Sequence, residues 1–409
     1  MLEQKGWSDS TYKALRNFLD SYKRVGACMD YAVFDCDGTL FYGDTAIGLF
    51  QDQIRYLNYA FAPDELENVL SMGNPKTIKG IPFHSYIEPL TEAYRYLYER
   101  GFVGKNPENY RRFSSWNSDP MYQEFAYKMN EVLVLIYLCW GYGPCAYSAY
   151  SLWSGFTLDE YSLMSSLSLK RHSEIGGVQK RQLVDPKTGK AIPIEVGLHP
   201  IEEMRNLLAE LDDRGIDLYV VSASPRAIVE EALRLFSFPK NIKVLGVENE
   251  FDERGRLVPH MDIAEKPYPI KAGKAISIKE LISPNYGGRG PILVAGDSEG
   301  DVAMMTAFKD TKVSLLLSDE ASKETRFIKT LALLQNRKGV QKGDISFLLQ
   351  GKSPAKACLV GKQVSPVETE VQADLSRLED GLSFFEFLNE LKENDPFKDY
   401  ASYPGYQGF

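Results

Sequence analysis

The chain has 409 residues, 44% of them apolar and 25% charged, an ordinary globular balance that allows two or three domains around sizeable cores. A formal charge of −9 and a pI near 5.3, with no basic stripe interleaved with aromatics, argue against a nucleic-acid binder, since phosphate contacts need clustered Lys and Arg. Five cysteines (Cys28, Cys36, Cys139, Cys145, Cys358), odd in number and without a CxxC pair, favour free thiols over a disulfide framework. The four histidines, at 84, 172, 199 and 260, have no zinc-site spacing.

At the start, residues 7–22 place apolar side chains at helical spacing, which predicts a helix packed on the fold. No leader is visible, so the protein reads as soluble and cytoplasmic by default. An exported or periplasmic protein with its leader removed would look the same. Next comes Tyr31-Ala-Val-Phe-Asp35-Cys-Asp37-Gly-Thr39-Leu40, a short apolar strand that delivers two aspartates into a Gly-containing turn. Such a turn can gather both carboxylates and the backbone between them around one point. Hard oxygen donors there suit Mg²⁺, and a carboxylate beside the metal can attack phosphorus. A capped turn after a buried strand is the plain alternative.

Residues 45–198 differ in character from residues 199–320. They are rich in Tyr, Trp and Phe, with helical patterns at 47–61, 87–100 and 122–140 and one strand signal at 192–196. The uncharged stretch 132–156 is interrupted by Gly141-Tyr-Gly143-Pro144, so it lacks the roughly 20 continuous apolar residues that a membrane span needs. A helix over 200–211 leads into strands at 217–222, 243–247, 291–296 and 312–317. These alternate with helices at 225–236, 272–282 and 299–308, the pattern of a doubly wound parallel sheet. Ser224 is the expected N-cap of the helix after the second strand, with Pro225 at its first position. Residues 249–257 read as a hairpin and 283–290 as a loop. Beyond 320 the signal weakens to a strand near 345–349, a linker at 361–366, an acidic helix pair over 371–391 and an extended end.

Three further stretches join the first motif in order. Ser222 and Ala223 close the second strand, Lys274 opens a helix, and Gly296-Asp297-Ser298-Glu299-Gly300-Asp301 ends the third strand. With Asp35–Thr39 this ordered set resembles the four motifs of the haloacid dehalogenase-like phosphohydrolase superfamily, loosely its phosphoserine and phosphorylcholine phosphatase branch. The resemblance implies an α/β fold with a doubly wound, Rossmann-like parallel sheet as core. The core would take residues 1–44 and 199–345, with a large, mainly helical cap at 45–198 and a C-terminal extension at 346–409 packing on the core.

The resemblance also implies roles. Asp35 would be the nucleophile that forms an aspartyl-phosphate, and Asp37 the general acid and then base. Thr39, Ser222, Ala223 and Lys274 would bind the phosphate, and Asp35, Asp37, Asp297 and Asp301 would hold Mg²⁺. From the residues alone, Lys266, Lys271 and Lys279 compete with Lys274, which is preferred because it follows a glycine at a helix start. The expected activity is a Mg²⁺-dependent phosphomonoesterase on a small phosphorylated metabolite; a catalytically silent binding or scaffold protein of the same fold is the alternative. Asp37 favours phosphoryl transfer over dehalogenation. Gly296-Asp-Ser298-Glu-Gly300 also matches the G-x-S-x-G nucleophile elbow, but no histidine comes after it in the chain, which argues against a serine esterase. Residues 121–161 hold eleven aromatics, among them Trp140 and Tyr142. These either fill the core of the insertion or line a substrate pocket, where ring faces would meet an apolar or cationic leaving group.

Overall fold

The computed structural model describes residues 1–23, 29–73, 76–259, 269–318 and 346–360, together with 325, 328, 329 and 332. The expected elements at 361–366 and 371–391 lie outside the described residues, as do Cys28, His260 and Lys266. Seven described strands form one sheet: β1 (Tyr31–Phe34), β2 (Asp217–Pro225), β3 (Lys243–Val247), β4 (Leu293–Gly296), β5 (Val313–Ser318), β6 (Ser346–Ser353) and β7 (Cys358–Val360). Their order across the sheet is 7-6-5-4-1-2-3, and every pairing is parallel except β6 with β7. From β1 the chain builds outward through β2 and β3, then crosses back to place β4 on the other flank of β1. The carboxyl ends of β1 and β4 therefore meet at a switch point, where a doubly wound sheet opens its crevice.

Strand alternation explains the two cores. Ala32 and Phe34 of β1, Leu218 and Val220 of β2, and Leu293 and Ala295 of β4 enter one apolar cluster. Tyr31 and Val33, Tyr219 and Val221, and Val294 enter the other, on the opposite face. Both faces are covered, which is why these strands read as unbroken apolar runs. Helices Asp9–Ser21, Glu202–Asp213 and Arg226–Leu235 pack on the first face. Ala272–Ser277, continued by a π-helical turn Ile278–Ile282, and Val302–Thr306 pack on the second.

Two local readings change. Pro225 itself is the cap of helix Arg226–Leu235, one position earlier than its expected place as first helical residue. The Ser224 hydroxyl does not cap the helix, because it donates to the Asp37 carboxylate instead. At the other end of the sheet, residues 346–360 supply two of its strands.

The insertion after β1 carries helices Thr45–Tyr56, His84–Glu99, Pro120–Trp140, Tyr142–Ser151 and Leu158–Ser173, most of them around a cluster of its own. Tyr59, Tyr94 and Phe125 form its aromatic centre, Tyr94 and Phe125 stacking at 5.7 Å. Strand Ala191–Val196, legible in the sequence, pairs with Gln179–Val184, which was not. No helix among the described residues is long and apolar enough to cross a membrane. Gly141, at φ +92°, reverses the chain between two of the helices.

A short ribbon joins insertion and core. Phe41–Tyr42 pairs antiparallel with His199–Pro200, and a Cβ on Gly43 would lie 2.3 Å from the Gly197 carbonyl oxygen, so the ribbon demands glycine there. Within the insertion, helices Thr45–Tyr56 and Leu158–Ser173 are tied together by an ion pair. Arg171 donates to Asp52 Oδ2 through Nε (3.0 Å) and a terminal nitrogen (2.8 Å), while His172 Nε2 stands 3.7 Å from Oδ1. Burial works to raise the Asp52 pKa, but His172 and Arg171 outweigh it and hold the carboxyl below its ordinary value.

Arg171→Met should therefore cost about 2–3 kcal/mol in urea unfolding at pH 7, below the full cost of breaking a buried pair because Arg171 is a quarter exposed. An acid whose folded value is depressed contributes fully above its unfolded value of about 4 and loses that contribution as pH falls below it. The difference between variant and wild type should thus shrink below pH 4; a gap that stays constant with pH would refute the ionic reading.

Candidate active site

Asp35 is the first residue past β1, and its N–H still donates to the Ala295 carbonyl of β4 (2.9 Å). The chain then turns. The Cys36 carbonyl accepts from the N–H groups of Thr39 and Leu40, and Gly38 adopts φ +79°. A Cβ at Gly38 would lie 2.0 Å from Asp297 Oδ2, so glycine lets the turn press against the loop after β4.

Lys274 ties the strands together. Its ammonium donates to Asp35 Oδ1 at 2.5 Å and to Asp301 Oδ1 at 2.7 Å, and the side chain is 4% exposed. Burial alone would lower its pKa, yet Asp301 and Asp35 outweigh that and hold it charged well above the ordinary lysine value. Burial, then Asp301, push the Asp35 carboxyl well up against the pull of Lys274. The competing Lys271 instead faces Glu299 at 3.5 Å.

Asp37 faces the insertion. Its Oδ1 accepts the Thr45 N–H (2.7 Å), and Oδ2 accepts the hydroxyls of Ser224 (2.6 Å) and Thr45 (3.3 Å). Burial raises its pKa, opposed by these same donors, so the carboxyl leans toward the protonated form that an acid catalyst needs. Thr39 donates to Asp35 Oδ2 at 3.3 Å. Ser222, 1% exposed, accepts the Ser224 N–H and keeps its own proton to donate. Asp44, which caps helix Thr45–Tyr56, is pushed up to about 8 by burial and then by Asp37.

Carboxylate oxygens of Asp35, Asp297 and Asp301 lie within 4.8 Å of one another. This all-oxygen donor set fits a hard divalent cation such as Mg²⁺. The three are not alike. Asp301, fully buried, accepts Lys274 on Oδ1 and the Asp297 N–H, Ser298 N–H and Ser298 hydroxyl on Oδ2. It therefore shapes the loop and the lysine, whereas Asp297 keeps Oδ1 for a ligand. The same contacts dispose of the serine-elbow reading, because Ser298 serves as the cap of a short helical turn. The Asp37 side chain stands outside the cluster, consistent with only its backbone carbonyl facing a cation.

The two aromatics singled out part company at Gly141. Trp140 packs on Phe83, ring centroids 4.9 Å apart, with Lys76 over its ring, against the core of the insertion. Tyr142 turns toward the cleft. Although 42% of the residue is accessible, its hydroxyl pKa is raised by burial and then by the charges of Asp44 and Asp37. From the same helix, the Tyr150 hydroxyl donates to the Ala223 carbonyl at 3.1 Å, so the insertion touches the second motif directly.

One buried cation went unseen in the sequence. Lys352, near the end of β6, donates to the Gly38 carbonyl (2.6 Å) and to Asp297 Oδ2 (2.8 Å). Burial pushes Asp297 up to about 6, against the pull of Lys352.

Residues 150–306 match the sequence model of the haloacid dehalogenase-like hydrolases. A functionally uncharacterised protein of Anaerococcus prevotii DSM 20548 has a similar structure, with TM-score 0.72 at 23% identity over 90% of this chain and 98% of that one. More distant are a phosphoserine phosphatase solved as a phospho-aspartyl intermediate analogue (TM-score 0.30, 12% identity, 71% of this chain and 87% of that one) and cytosolic 5'-nucleotidase IIIB bound to cytidine (TM-score 0.38, 12% identity, 91% and 92%). Of these structures only the first bears on the fold, which it supports. No curated protein matches. Residues 150–306 thus carry the sequence pattern of the haloacid dehalogenase-like hydrolases.

Lys274→Met would strand two buried carboxylates, so metal-free protein should lose on the order of 3 kcal/mol at pH 8. Acids held above their unfolded value cost stability only where they ionise, so the deficit should narrow toward pH 5. Denaturant titrations of both proteins at the two pH values decide it, and a deficit unchanged by pH would count against the geometry.

Proposed function

We propose that the protein is a Mg²⁺-dependent phosphomonoester hydrolase that works through an aspartyl-phosphate on Asp35 and accepts a small organic phosphate. The observation that carries the reading is the lysine-bridged pair Asp35–Lys274–Asp301, set beside a second acid, Asp37, whose protonation is favoured. A phosphate monoester is an anion and resists an anionic nucleophile, so the site must gather positive charge on the phosphoryl oxygens. Lys274 supplies one charge. Bound Mg²⁺, held by Asp35, Asp297 and the Asp37 carbonyl, would neutralise the phosphoryl oxygens and the crowded carboxylates.

An Asp35 carboxylate oxygen attacks phosphorus, the P–O bond to the ester oxygen breaks, and Asp37 gives its proton to the departing alkoxide. Thr39 steadies the nucleophile, while the Ser222 hydroxyl and the Ala223 backbone receive the transferred phosphoryl oxygens. Asp37, now ionised, takes a proton from water. The resulting hydroxide attacks phosphorus, the bond to Asp35 breaks, and inorganic phosphate leaves. The insertion, read as a cap, would close the cleft, with Tyr142 at its mouth.

Phosphate release from p-nitrophenyl phosphate and a panel of metabolite monoesters should require Mg²⁺ and stop with EDTA. Asp35→Asn should lower kcat by about 10³-fold or more with folding intact, and Asp37→Asn by about 10²–10⁴-fold. Failure of every ester, or full activity of Asp35→Asn, would sink the reading.

A second measurement separates the aromatics. Tyr142→Ala should raise KM for the best substrate several-fold with little change in Tm. Trp140→Ala should lower Tm, removing a half-buried ring packed on Phe83 at less than the cost of about 3 kcal/mol for a fully buried one, and leave substrate preference alone.

A further inference from the structure

The site contains a second buried ammonium that the proposed chemistry does not use. Lys352 lies near the end of β6, two strands away from β4, and its side chain is 4% exposed. It makes two hydrogen bonds, and each reaches a different limb of the candidate cation site. One goes to the carbonyl of Gly38, the residue after Asp37; the other goes to Asp297 Oδ2. The two limbs are already pressed together at Gly38, so one ammonium fixes both. The strand that carries it is anchored on both sides. Gln350 accepts the Ser8 N–H and donates to the Val360 carbonyl, and the turn after Lys352 accepts the Val178 N–H on Pro354.

Resting on the cation-site reading above, we propose that Lys352 is a positioning residue of that site. It occupies Oδ2 of Asp297, which leaves Oδ1 to ligate, and it holds the Gly38 turn that presents the Asp37 carbonyl. Two effects oppose each other here. Removing an ammonium takes away a charge that repels Mg²⁺, which would tighten binding. Removing its hydrogen bonds frees two ligands at once, which weakens binding. The second effect is the larger, because loss of an outer hydrogen-bond partner of a metal ligand costs about 10–100-fold in affinity.

Titration of metal-free, full-length protein with MgCl₂ in a calorimeter reads this without any substrate. Lys352→Met, close in length and neutral, should weaken Mg²⁺ binding about 10–100-fold and shrink the gain in Tm that Mg²⁺ gives the wild type. Lys352→Gln, neutral but still a donor, should fall between the two. If both variants bind Mg²⁺ more tightly, charge outweighs position and the proposal is overturned. Mg²⁺ affinity unchanged in both, with or without a fall in metal-free Tm, overturns it as well and leaves the phosphatase reading standing. A wild type that binds no Mg²⁺ brings down the cation-site reading, and this inference with it. Should Lys352→Met fail to fold, Lys352→Gln against wild type answers the same question.

Discussion

The dominant constraint in this molecule is the placing of several carboxylates side by side in a dry crevice. Asp35, Asp297 and Asp301 converge at the carboxyl ends of β1 and β4, where burial and mutual repulsion disfavour ionisation of Asp35 and Asp297. Uncompensated, such a cluster would protonate or open. Lys274 prevents this by bridging two of the acids, and Lys352 takes the third. The arrangement is poised, because two ammoniums offset three acids only in part. The remaining negative charge is what a bound divalent cation would relieve.

The same constraint orders the surrounding fold. Lys274 can reach Asp35 and Asp301 only because its helix packs on the second face of the sheet, over the crevice. The Gly38 turn can meet the Asp297 carboxylate only because Gly38 carries no side chain at the point of contact. Asp37 sits where the core chain leaves for the insertion, and its oxygens are claimed by Thr45 and Ser224. The acid is thereby tied to the first turn of the insertion and to the second motif together. A movement of the insertion would be felt at Asp37 first.

The parallel sheet was legible because buried strands leave short apolar runs, and the candidate acids because they follow such runs. Lys274 could be ranked above its neighbours from its place at a helix start. Other features were hidden for definite reasons. Ser224 precedes a proline and a helix, so it looks like a cap; only the fold shows Asp37 as the stronger acceptor, across 187 positions of sequence. Trp140 and Tyr142 are two residues apart and seemed one feature, until the positive φ at Gly141 sent them to different environments. Strand Gln179–Val184 is mostly exposed and has the composition of a polar loop.

Lys352 is the most instructive omission, because a lone lysine near a strand end carries no motif. Its meaning depends on β6 joining the sheet beyond β5, which places its last residues over the loop between β4 and its helix. A strand added at the flank usually serves to cover an edge. Here it also reaches inward to the third acid, while its following turn, at Pro354, meets Val178 on the way out of the insertion. One hairpin thus touches the loop that would hold the cation and the segment where the insertion rejoins the core. Whatever displaces the hairpin must loosen both, so order in this flank of the sheet is a condition for order in the site.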